Sequence, residues 1–493
     1  LNLRFLSIKN AKYLESKALV RAVPRVRSRN FGNGMLVEVD FTGCGNNIED
    51  QGMSMLLKHH RSMSKVVVPH TGISDGTGES LGAYCQKLQV VNFAHTNITS
   101  RGIQLMMMGC PKVYDINVSA CDSMTARGAL VIITPDETRT FSNKLVSLNF
   151  ARTQFRNTCC YWLCKGYPSL KFLDISDCQD TSDAGVIELS RGCRKIEHLA
   201  IKNLPNLTPI GVRSCFQNLA KLKYIDVSGN RRLNDRCFIV SSKERDLNGF
   251  DMSNMAAITD VGLNAMCTIR SLTNITVASD KQATSHVTDK MQRQLASHCP
   301  LLKSVNYSGV IWLSDLGILA LVNNCQKLEM LSIVMADKSV KGGVGFLFHE
   351  RGPSDQSFEG CLKHPALKTL KFENSSRLQL RSKTLFDFAQ SNSCLEHVSF
   401  AGCINISSKS YVHLMARLLP EVKSCDVSRC SHITLNDTTK IISSRCYYGF
   451  SKTGTNGFVS LHPRFAVQDA YVRQKNRQRH ACIHISRYFR GYV

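Results

Sequence analysis

A few residues have the type and spacing of catalytic or metal-binding groups. Residues 78–82 read Gly-Glu-Ser-Leu-Gly and match the G-x-S-x-G motif, in which a strand enters a sharp turn directly before a nucleophilic serine. Ser80 instead lies on a predicted helix, and no pattern places an acid–histidine pair beside it. His480 and His484 have the i, i+4 spacing of zinc ligands on a helix, but no glutamate lies between them and no third ligand is evident. Walker and G-x-G-x-x-G motifs are also missing from the sequence, so we expect a non-enzyme without metal or cofactor.

The 21 cysteines could form disulfides, bind a metal or fill a core. The sequence has no C-x-x-C pair, and the nearest cluster, formed by Cys159, Cys160 and Cys164, falls on a predicted helix. Most of the others recur directly before or after predicted strands. We therefore expect free thiols that act as small buried hydrophobes in a reducing compartment.

The charge balance is strongly basic, with 62 Lys and Arg against 38 Asp and Glu and a net charge of +24. Such an excess favours an acidic partner, for example a nucleic acid, an anionic membrane or the surface of tubulin, although a long chain can also carry charge for solubility alone. No apolar run approaches the ~18–20 residues of a membrane span, and no signal-peptide pattern is present. We expect a cytoplasmic protein without membrane insertion.

Residues 170–193 show the strand–helix unit from which the predicted fold is built, and they read LKFLDISDCQDTSDAGVIELSRGC. The first part has the pattern LxxLxI of a short strand with buried apolar side chains. Thr181, Ser182 or Asp183 can then cap a helix by accepting its unpaired backbone N–H groups, and an apolar helical stripe follows. One strand and one helix cannot bury these faces alone, so the unit must pack against copies of itself.

Copies of this unit recur along nearly the whole chain, most often 25 or 26 residues apart. This spacing lies within the period of about 20–29 residues that is typical of leucine-rich repeats. The sixteen predicted strand starts are Leu3, Leu36, Met63, Leu88, Val113, Leu145, Leu170, Ile196, Leu222, Leu247, Leu272, Leu302, Leu328, Leu367, Leu395 and Val422.

Two details of the repeats narrow their type. Cysteine precedes the strand in Cys85-Gln-Lys-Leu88 and Cys325-Gln-Lys-Leu328, and it follows the strand at Cys178. With these residues the chain resembles the cysteine-containing leucine-rich repeats of F-box/LRR proteins. The resemblance implies an α/β fold over residues 1–446, a curved solenoid of about sixteen repeats with a parallel inner sheet and outer helices. Residues 447–462 are predicted to be a linker, and residues 463–493 a basic amphipathic helix. An insertion over residues 341–360 is expected on one rim, either as a partner contact or as a neutral loop.

The C-terminal segment resembles an IQ motif, the helix that binds calmodulin-like proteins. Ile485, Arg490 and Gly491 occupy the motif's Ile, Arg and Gly places, whereas Ser486 replaces the usual Gln. The resemblance implies a calmodulin- or centrin-like light chain as partner. An equally open alternative is a helix that caps the last repeat. The tail residues predicted to contact a partner are Ile485, Arg487, Phe489, Arg490 and Gly491.

One column of side chains on the open face of the predicted sheet is aromatic over three adjacent strands. Phe172, His198 and Tyr224 occupy equivalent positions, and neighbouring strands lie about 4.8 Å apart, so their rings should form one patch. Asp174 and Asp226 flank it, and we predict that these five residues contact a partner. The alternative is that the rings pack only along the sheet. Because the next column of this face carries Asp residues, we do not expect a nucleic acid as ligand there.

Two function classes follow from the sequence. The first is a non-catalytic adaptor, and the resemblance here is to the F-box/LRR-type subunit of the nexin–dynein regulatory complex. It implies a place in the ciliary or flagellar axoneme among tubulin and coiled-coil subunits. The alternative is the substrate-recognition subunit of a cullin–RING (SCF-type) ubiquitin ligase. That role requires an F-box, which residues 1–493 lack and which we would expect before Leu1.

Overall fold

The structure is a computed structural model, and it describes most of the repeat region. The described residues are 4–22, 36–126, 129, 145–238, 246–255, 258–267, 269–278, 288–336, 352–381, 394–411, 422, 424–433, 448–452, 458–463 and 482–485.

The chain divides into two compact units, one made of Leu1–Asp226 with Gln478–Val493 and the other of Val227–Arg477. In the first unit each strand pairs in parallel with the strand of the next repeat. Its strands are β1 Phe5–Ile8, β2 Glu38–Asp40, β3 Lys65–Val67, β4 Val90–Asn92, β5 Asp115–Asn117, β6 Ser147–Asn149, β7 Phe172–Asp174, β8 His198–Ala200 and β9 Tyr224–Asp226. Its described helices are Ser16–Ala22, Asp50–His59, Asp75–Tyr84, Ser100–Gly109, Asn157–Gly166, Asp183–Gly192 and Pro209–Asn218.

The second unit repeats the same strand–turn–helix plan, with parallel pairing from its first to its seventh strand. These strands are β10 Gly249–Asp251, β11 Asn274–Ala278, β12 Ser304–Val310, β13 Met330–Met335, β14 Thr369–Glu373, β15 His397–Ser399 and β16 Ser424–Asp426. Its described helices are Asp260–Met266, Asp289–His298, Asp315–Asn324 and Asp355–Leu362, with a 3₁₀ turn at Asp235–Cys237.

The predicted repeats are confirmed by the positions of their apolar residues. Of the sixteen predicted strand starts all but Leu3 are described, and every one from Leu36 to Val422 is buried. The cysteines whose side chains are described are free thiols, and all of them except Cys164 and Cys394 are buried or nearly so. The chain therefore has the α/β leucine-rich repeat architecture that the spacing predicts, with its cores between the strands and the helices.

The C-terminal region differs from the predicted linker and helix where it is described. Strands β17 Tyr448–Lys452 and β18 Phe458–Pro463 form an antiparallel pair within the predicted linker, and β18 also pairs with β16. Cys482–Ile485, which was predicted to be helical, forms strand β19 and pairs in parallel with β1. The physical reason is that β1 would otherwise be an edge strand with unpaired backbone groups. Arg487, Phe489, Arg490, Gly491 and the insertion residues 341–351 lie outside the described part of the chain.

A polar side chain at the end of many strands closes the turn that follows. Asn149 Oδ1 accepts a hydrogen bond from Ala151 N at 2.8 Å, and Arg152 next takes a left-handed backbone with φ 59°. The polar side chains at these strand ends are therefore turn caps, which redirect the chain at the same point of their repeats. In six other pairs the side-chain oxygen of the first residue likewise accepts a hydrogen bond from the backbone N–H two residues later. These pairs are Asp40–Thr42, Asn92–Ala94, Asn117–Ser119, Asp174–Ser176, Asp251–Ser253 and Asp426–Ser428.

The first residue of most described helices bonds to the helix start of the next repeat. Asp183 Oδ1 accepts from Thr208 N at 2.8 Å and from Gly211 N at 3.2 Å, while Oδ2 accepts from the Thr208 hydroxyl at 2.5 Å. A side chain at Gly211 is excluded, because a Cβ there would lie 2.6 Å from Asp183 Oδ1. We name this set the carboxylate ladder. Its acidic members with a described bond to the next repeat are Asp50, Asp75, Asp183, Asp235, Asp260, Asp289, Asp315 and Asp355.

Asn157 takes the place of the aspartate in one rung of the ladder. Its Oδ1 accepts from Ser182 N at 3.0 Å and from Gly185 N at 3.2 Å, and its Nδ2 donates to Ser182 Oγ at 2.9 Å. The helix Asp183–Gly192 is therefore capped from the preceding repeat and not by its own Ser182, whose side chain makes no cap bond. The predicted cap residues are correctly placed at the helix start, but the bond that satisfies the N–H groups crosses between repeats.

We predict that Asp183→Ala destabilises the first unit by about 1–3 kcal/mol, because it leaves the N–H groups of Thr208 and Gly211 without their acceptor. Urea denaturation measures the loss, and hydrogen exchange of the helix Pro209–Asn218 should quicken. Asp180→Ala is the matched control, since Asp180 forms a surface ion pair with Arg156 at 3.2 Å, and such pairs contribute about 0–1 kcal/mol. Equal effects of the two substitutions would contradict the role given to the ladder.

A second prediction concerns the stability of the fold at low pH. Burial alone would raise the pKa of Asp50, but hydrogen bonds from Ser74 and Thr77 outweigh it and hold this pKa below its ordinary 3.8. The ionised carboxylate therefore stabilises the fold fully above pH 3.8, and this contribution is lost as the pH falls through the folded-state pKa. Asp50→Asn, which copies the Asn157 rung, should lower stability at pH 7 slightly and flatten its decline below about pH 4. Thermal unfolding at pH 7 to pH 3 tests this, and parallel curves for the two proteins would refute it.

Candidate functional site

The predicted aromatic patch is present on the open face of the first unit. Strands β7, β8 and β9 pair in register, so that Phe172 lies beside His198 and His198 beside Tyr224. The Phe172 and His198 rings stack with centroids 4.6 Å apart and planes 18° from parallel, and the His198 and Tyr224 centroids are 6.1 Å apart at 29°. The Phe172 side chain is 40% exposed, and the other two rings are half-buried. We name these three rings the aromatic stack.

The aromatic stack faces outward because its neighbours along each strand face inward. Side chains alternate between the two faces of a strand, and Leu173, Leu199 and Ile225 are buried on the helix side. The parallel pairing of β7 with β8 and of β8 with β9 keeps these residues in register. The sequence prediction that these rings form one continuous surface is therefore confirmed.

Charged residues border the stack on the side where the strands begin. Glu197 lies between two exposed lysines, with its Oε2 2.6 Å from Lys223 Nζ and its Oε1 3.0 Å from Lys171 Nζ. The hydrogen bonds from Lys223 and Lys171 lower the pKa of Glu197 to about 2, so it stays ionised. This border therefore keeps an excess of positive charge. Its exposed cations are Lys171, Lys195, Lys221 and Lys223.

The His198 imidazole is held in its neutral form. Burial within the stack lowers its pKa and Lys223 acts in the same direction, although Glu197 opposes them. A neutral ring stacks on Phe172 and Tyr224 without the cost of desolvating a charge. The stack therefore presents an aromatic surface, and its positive charge comes from the lysine border.

The two aspartates that flank the stack, Asp174 and Asp226, make polar contacts within the fold. Asp174 accepts from Ser176 N at 3.0 Å and from Asn149 Nδ2 at 3.1 Å. Asp226 is only 8% exposed, with Lys202 Nζ 3.8 Å from its Oδ2. The prediction that Asp174 and Asp226 contact a partner stays a prediction, and Asp226 offers little accessible surface for such a contact.

The catalytic motif lacks its structural context. Ser80 lies within the helix Asp75–Tyr84, and its Oγ donates to Gly76 O at 2.9 Å. His484 is in strand β19, and His480 lies beyond the described residues. Within the described part of the chain, no group of three or more His, Cys, Asp or Glu side chains is arranged to hold a metal ion. The same residues contain no helix with the length and apolar composition that crossing a membrane requires.

Sequence reasoning missed a second surface, on the turns that follow the strands. His70 and His95 stack there with ring centroids 4.1 Å apart, and both have left-handed backbones. Beside them is an open polar groove of about 580 Å³. The signal for the histidine pair was its repeat position, because His70 and His95 each lie three residues after the end of a strand, at Val67 and Asn92. The groove is lined by Asp122, Arg152, Thr153, Gln154, Asp177 and Gln179.

Comparison with known proteins bears on the fold. A family model described as Leucine Rich repeat matches residues 84–107. Among solved structures, the chain is similar to one in the yeast Rad7 and Elc1 complex, with 14% identity and a TM-score of 0.49 over 63% of this chain and 77% of that one. It is also similar to the internalin inlF from Listeria monocytogenes, with 14% identity and a TM-score of 0.38 over 63% and 78%. A third similarity is to a chain of the mouse RP105/MD-1 complex, with 12% identity and a TM-score of 0.42 over 80% and 63%.

The family match covers strand β4 and most of the helix Ser100–Gly109, which together make one strand–turn–helix unit. The same unit recurs through both compact parts of the structure. We conclude that this chain has the α/β fold of leucine-rich repeat proteins.

Proposed function

We propose that the chain is a non-catalytic interaction scaffold that binds a protein partner through the aromatic stack. The observation that carries this proposal is that Phe172, His198 and Tyr224 stack in a row on the open sheet face, with Phe172 exposed. Aromatic side chains that are held rigidly at a surface are frequent anchors of interfaces, because they bury a large apolar area for little loss of rotamer entropy.

The charge pattern indicates the chemistry of that partner. Exposed lysines border the stack, and the one acid among them, Glu197, is already paired with Lys171 and Lys223. The whole chain carries a net charge of +24. An acidic protein surface such as that of tubulin complements this border, and the desolvated rings would supply most of the binding energy.

We further propose that the scaffold serves in a ciliary or flagellar axonemal assembly, with tubulin or coiled-coil subunits as partners. The support is the resemblance to the F-box/LRR-type subunit of the nexin–dynein regulatory complex, together with the basic charge. A calmodulin- or centrin-like light chain could bind the IQ-like tail only after Cys482–Ile485 leaves strand β1, because that pairing holds Ile485 extended.

The binding proposal is tested by co-sedimentation of the full chain with microtubules. We predict that Phe172→Ala with Tyr224→Ala weakens binding at least ~10-fold, since two interface aromatics of this kind contribute more than 1 kcal/mol. The melting temperature should change little, because Phe172 is exposed. The matched control is Tyr161→Ala with Trp162→Ala, an exposed aromatic pair on the helix Asn157–Gly166, which should bind as the parent does. Unchanged binding in the stack variant, or equal losses in both, would overturn the assignment.

The axonemal placement has its own test. When cilia or flagella are extracted with detergent, the tagged chain should remain with the axoneme and be released by high salt, because screening weakens contacts between basic and acidic surfaces. Recovery of the chain entirely in the detergent extract, bound to Skp1 and a cullin, would reject this placement and favour the ubiquitin-ligase alternative.

A further inference from the structure

Two thiols meet between neighbouring helices of the first unit. Cys164 is in the last turn of the helix Asn157–Gly166, and Cys193 follows directly after the helix Asp183–Gly192. Their Sγ atoms lie 3.7 Å apart. Gly192 allows this approach, because a Cβ at that position would lie 2.4 Å from Cys164 Cβ and 2.6 Å from its Sγ. The short distance is therefore built into the packing of these two repeats.

We propose that Cys164 and Cys193 form a reversible oxidation site, at which a peroxide converts the two thiols into a disulfide that joins adjacent repeats. Cytosolic disulfides are uncommon and usually transient, so such a bond would report an oxidising condition and would not serve as a permanent staple. To form the bond, the sulfur atoms must move from 3.7 Å to about 2.05 Å.

The two thiols differ in exposure and in pKa, and an oxidation site needs one accessible thiol that ionises first. Cys164 is half-buried and within reach of solvent, whereas Cys193 is fully buried. The Cys193 thiol donates a hydrogen bond to Cys164 Sγ, and this bond lowers the pKa of Cys164. The same contact and the burial raise the pKa of Cys193. Cys164 is therefore the thiol that ionises and reacts first, and Cys193 is the resolving thiol beside it.

The chemistry balances with hydrogen peroxide as the oxidant. The Cys164 thiolate attacks one peroxide oxygen, an S–O bond forms as the O–O bond breaks, and hydroxide leaves, so that Cys164 becomes a sulfenic acid. The Cys193 sulfur then attacks Cys164 Sγ. The S–S bond forms as the S–O bond breaks, and the departing hydroxide takes the Cys193 proton to give water. In sum, two thiols lose two electrons and two protons, and one peroxide yields two waters.

Two other described cysteine pairs in successive repeats, Cys85 with Cys110 and Cys299 with Cys325, meet through a carbonyl oxygen. Cys110 Sγ donates to Cys85 O at 3.2 Å, and Cys325 Sγ donates to Cys299 O at 3.7 Å. Cys164 Sγ and Cys193 Sγ also reach carbonyl oxygens, Glu188 O at 3.4 Å and Tyr167 O at 3.8 Å, but these two sulfur atoms contact each other as well. The four thiols of the other two pairs are buried. Burial raises the pKa of Cys85 and of Cys110 to about 12, which keeps these thiols protonated and unreactive.

The test is peroxide treatment of the reduced, folded full chain, followed by mass-spectrometric mapping of its disulfides. We expect a crosslink between the peptides that contain Cys164 and Cys193, which dithiothreitol reverses. Cys193→Ser should leave a sulfenic acid at Cys164 that dimedone traps, and Cys164→Ser should leave Cys193 reduced. Cys110→Ser is the matched control and should form the crosslink as the parent does.

The unsubstituted chain alone can decide the matter if a variant fails to fold. The exposed thiol of Cys394 serves as an internal standard for peroxide exposure. If Cys394 is fully oxidised while Cys164 and Cys193 remain reduced, the proposal is overturned. A crosslink that appears only after denaturation would overturn it as well, because the site depends on the packing of the folded repeats.

Discussion

The hydrogen bond from a helix-start carboxylate to the next repeat is the interaction on which the rest of this structure depends. The N–H groups at a helix start have no partner inside the helix, and here the acceptor is the first side chain of the preceding helix. Asp289 shows the arrangement in the second unit, where its Oδ1 accepts from Ser314 N at 2.8 Å and from Gly317 N at 3.2 Å. Each rung fixes the height and rotation of one helix against the next.

This stacking has a consequence for the surface. Because neighbouring described strands pair in register, residues at one repeat position line up across them. Phe172, His198 and Tyr224 become a continuous row for this reason, and one register slip would turn all three toward the helix side. The candidate contact surface is therefore held by paired strands.

The ladder also affects the electrostatics of the chain. Many of its acidic residues point between repeats, where their oxygens accept backbone hydrogen bonds, as Asp75 does from Thr99 N and Gly102 N. The lysines that precede the strands, such as Lys87 and Lys112, lie exposed. These lysines are therefore more accessible to a partner than the ladder carboxylates are.

Period and alternation are local properties, and the sequence therefore determined the repeats, the buried strand starts and the outward row of aromatic rings. It did not determine what the polar residues bond to. Asp183 could be recognised as part of a helix start, but its true partners lie about one repeat away, and only packing brings them together. The 3.7 Å approach of Cys164 to Cys193 and the pairing of Cys482–Ile485 with β1 were likewise decided by the tertiary structure. Such contacts join segments that are distant in sequence, and their distances are set by how the helices and strands pack.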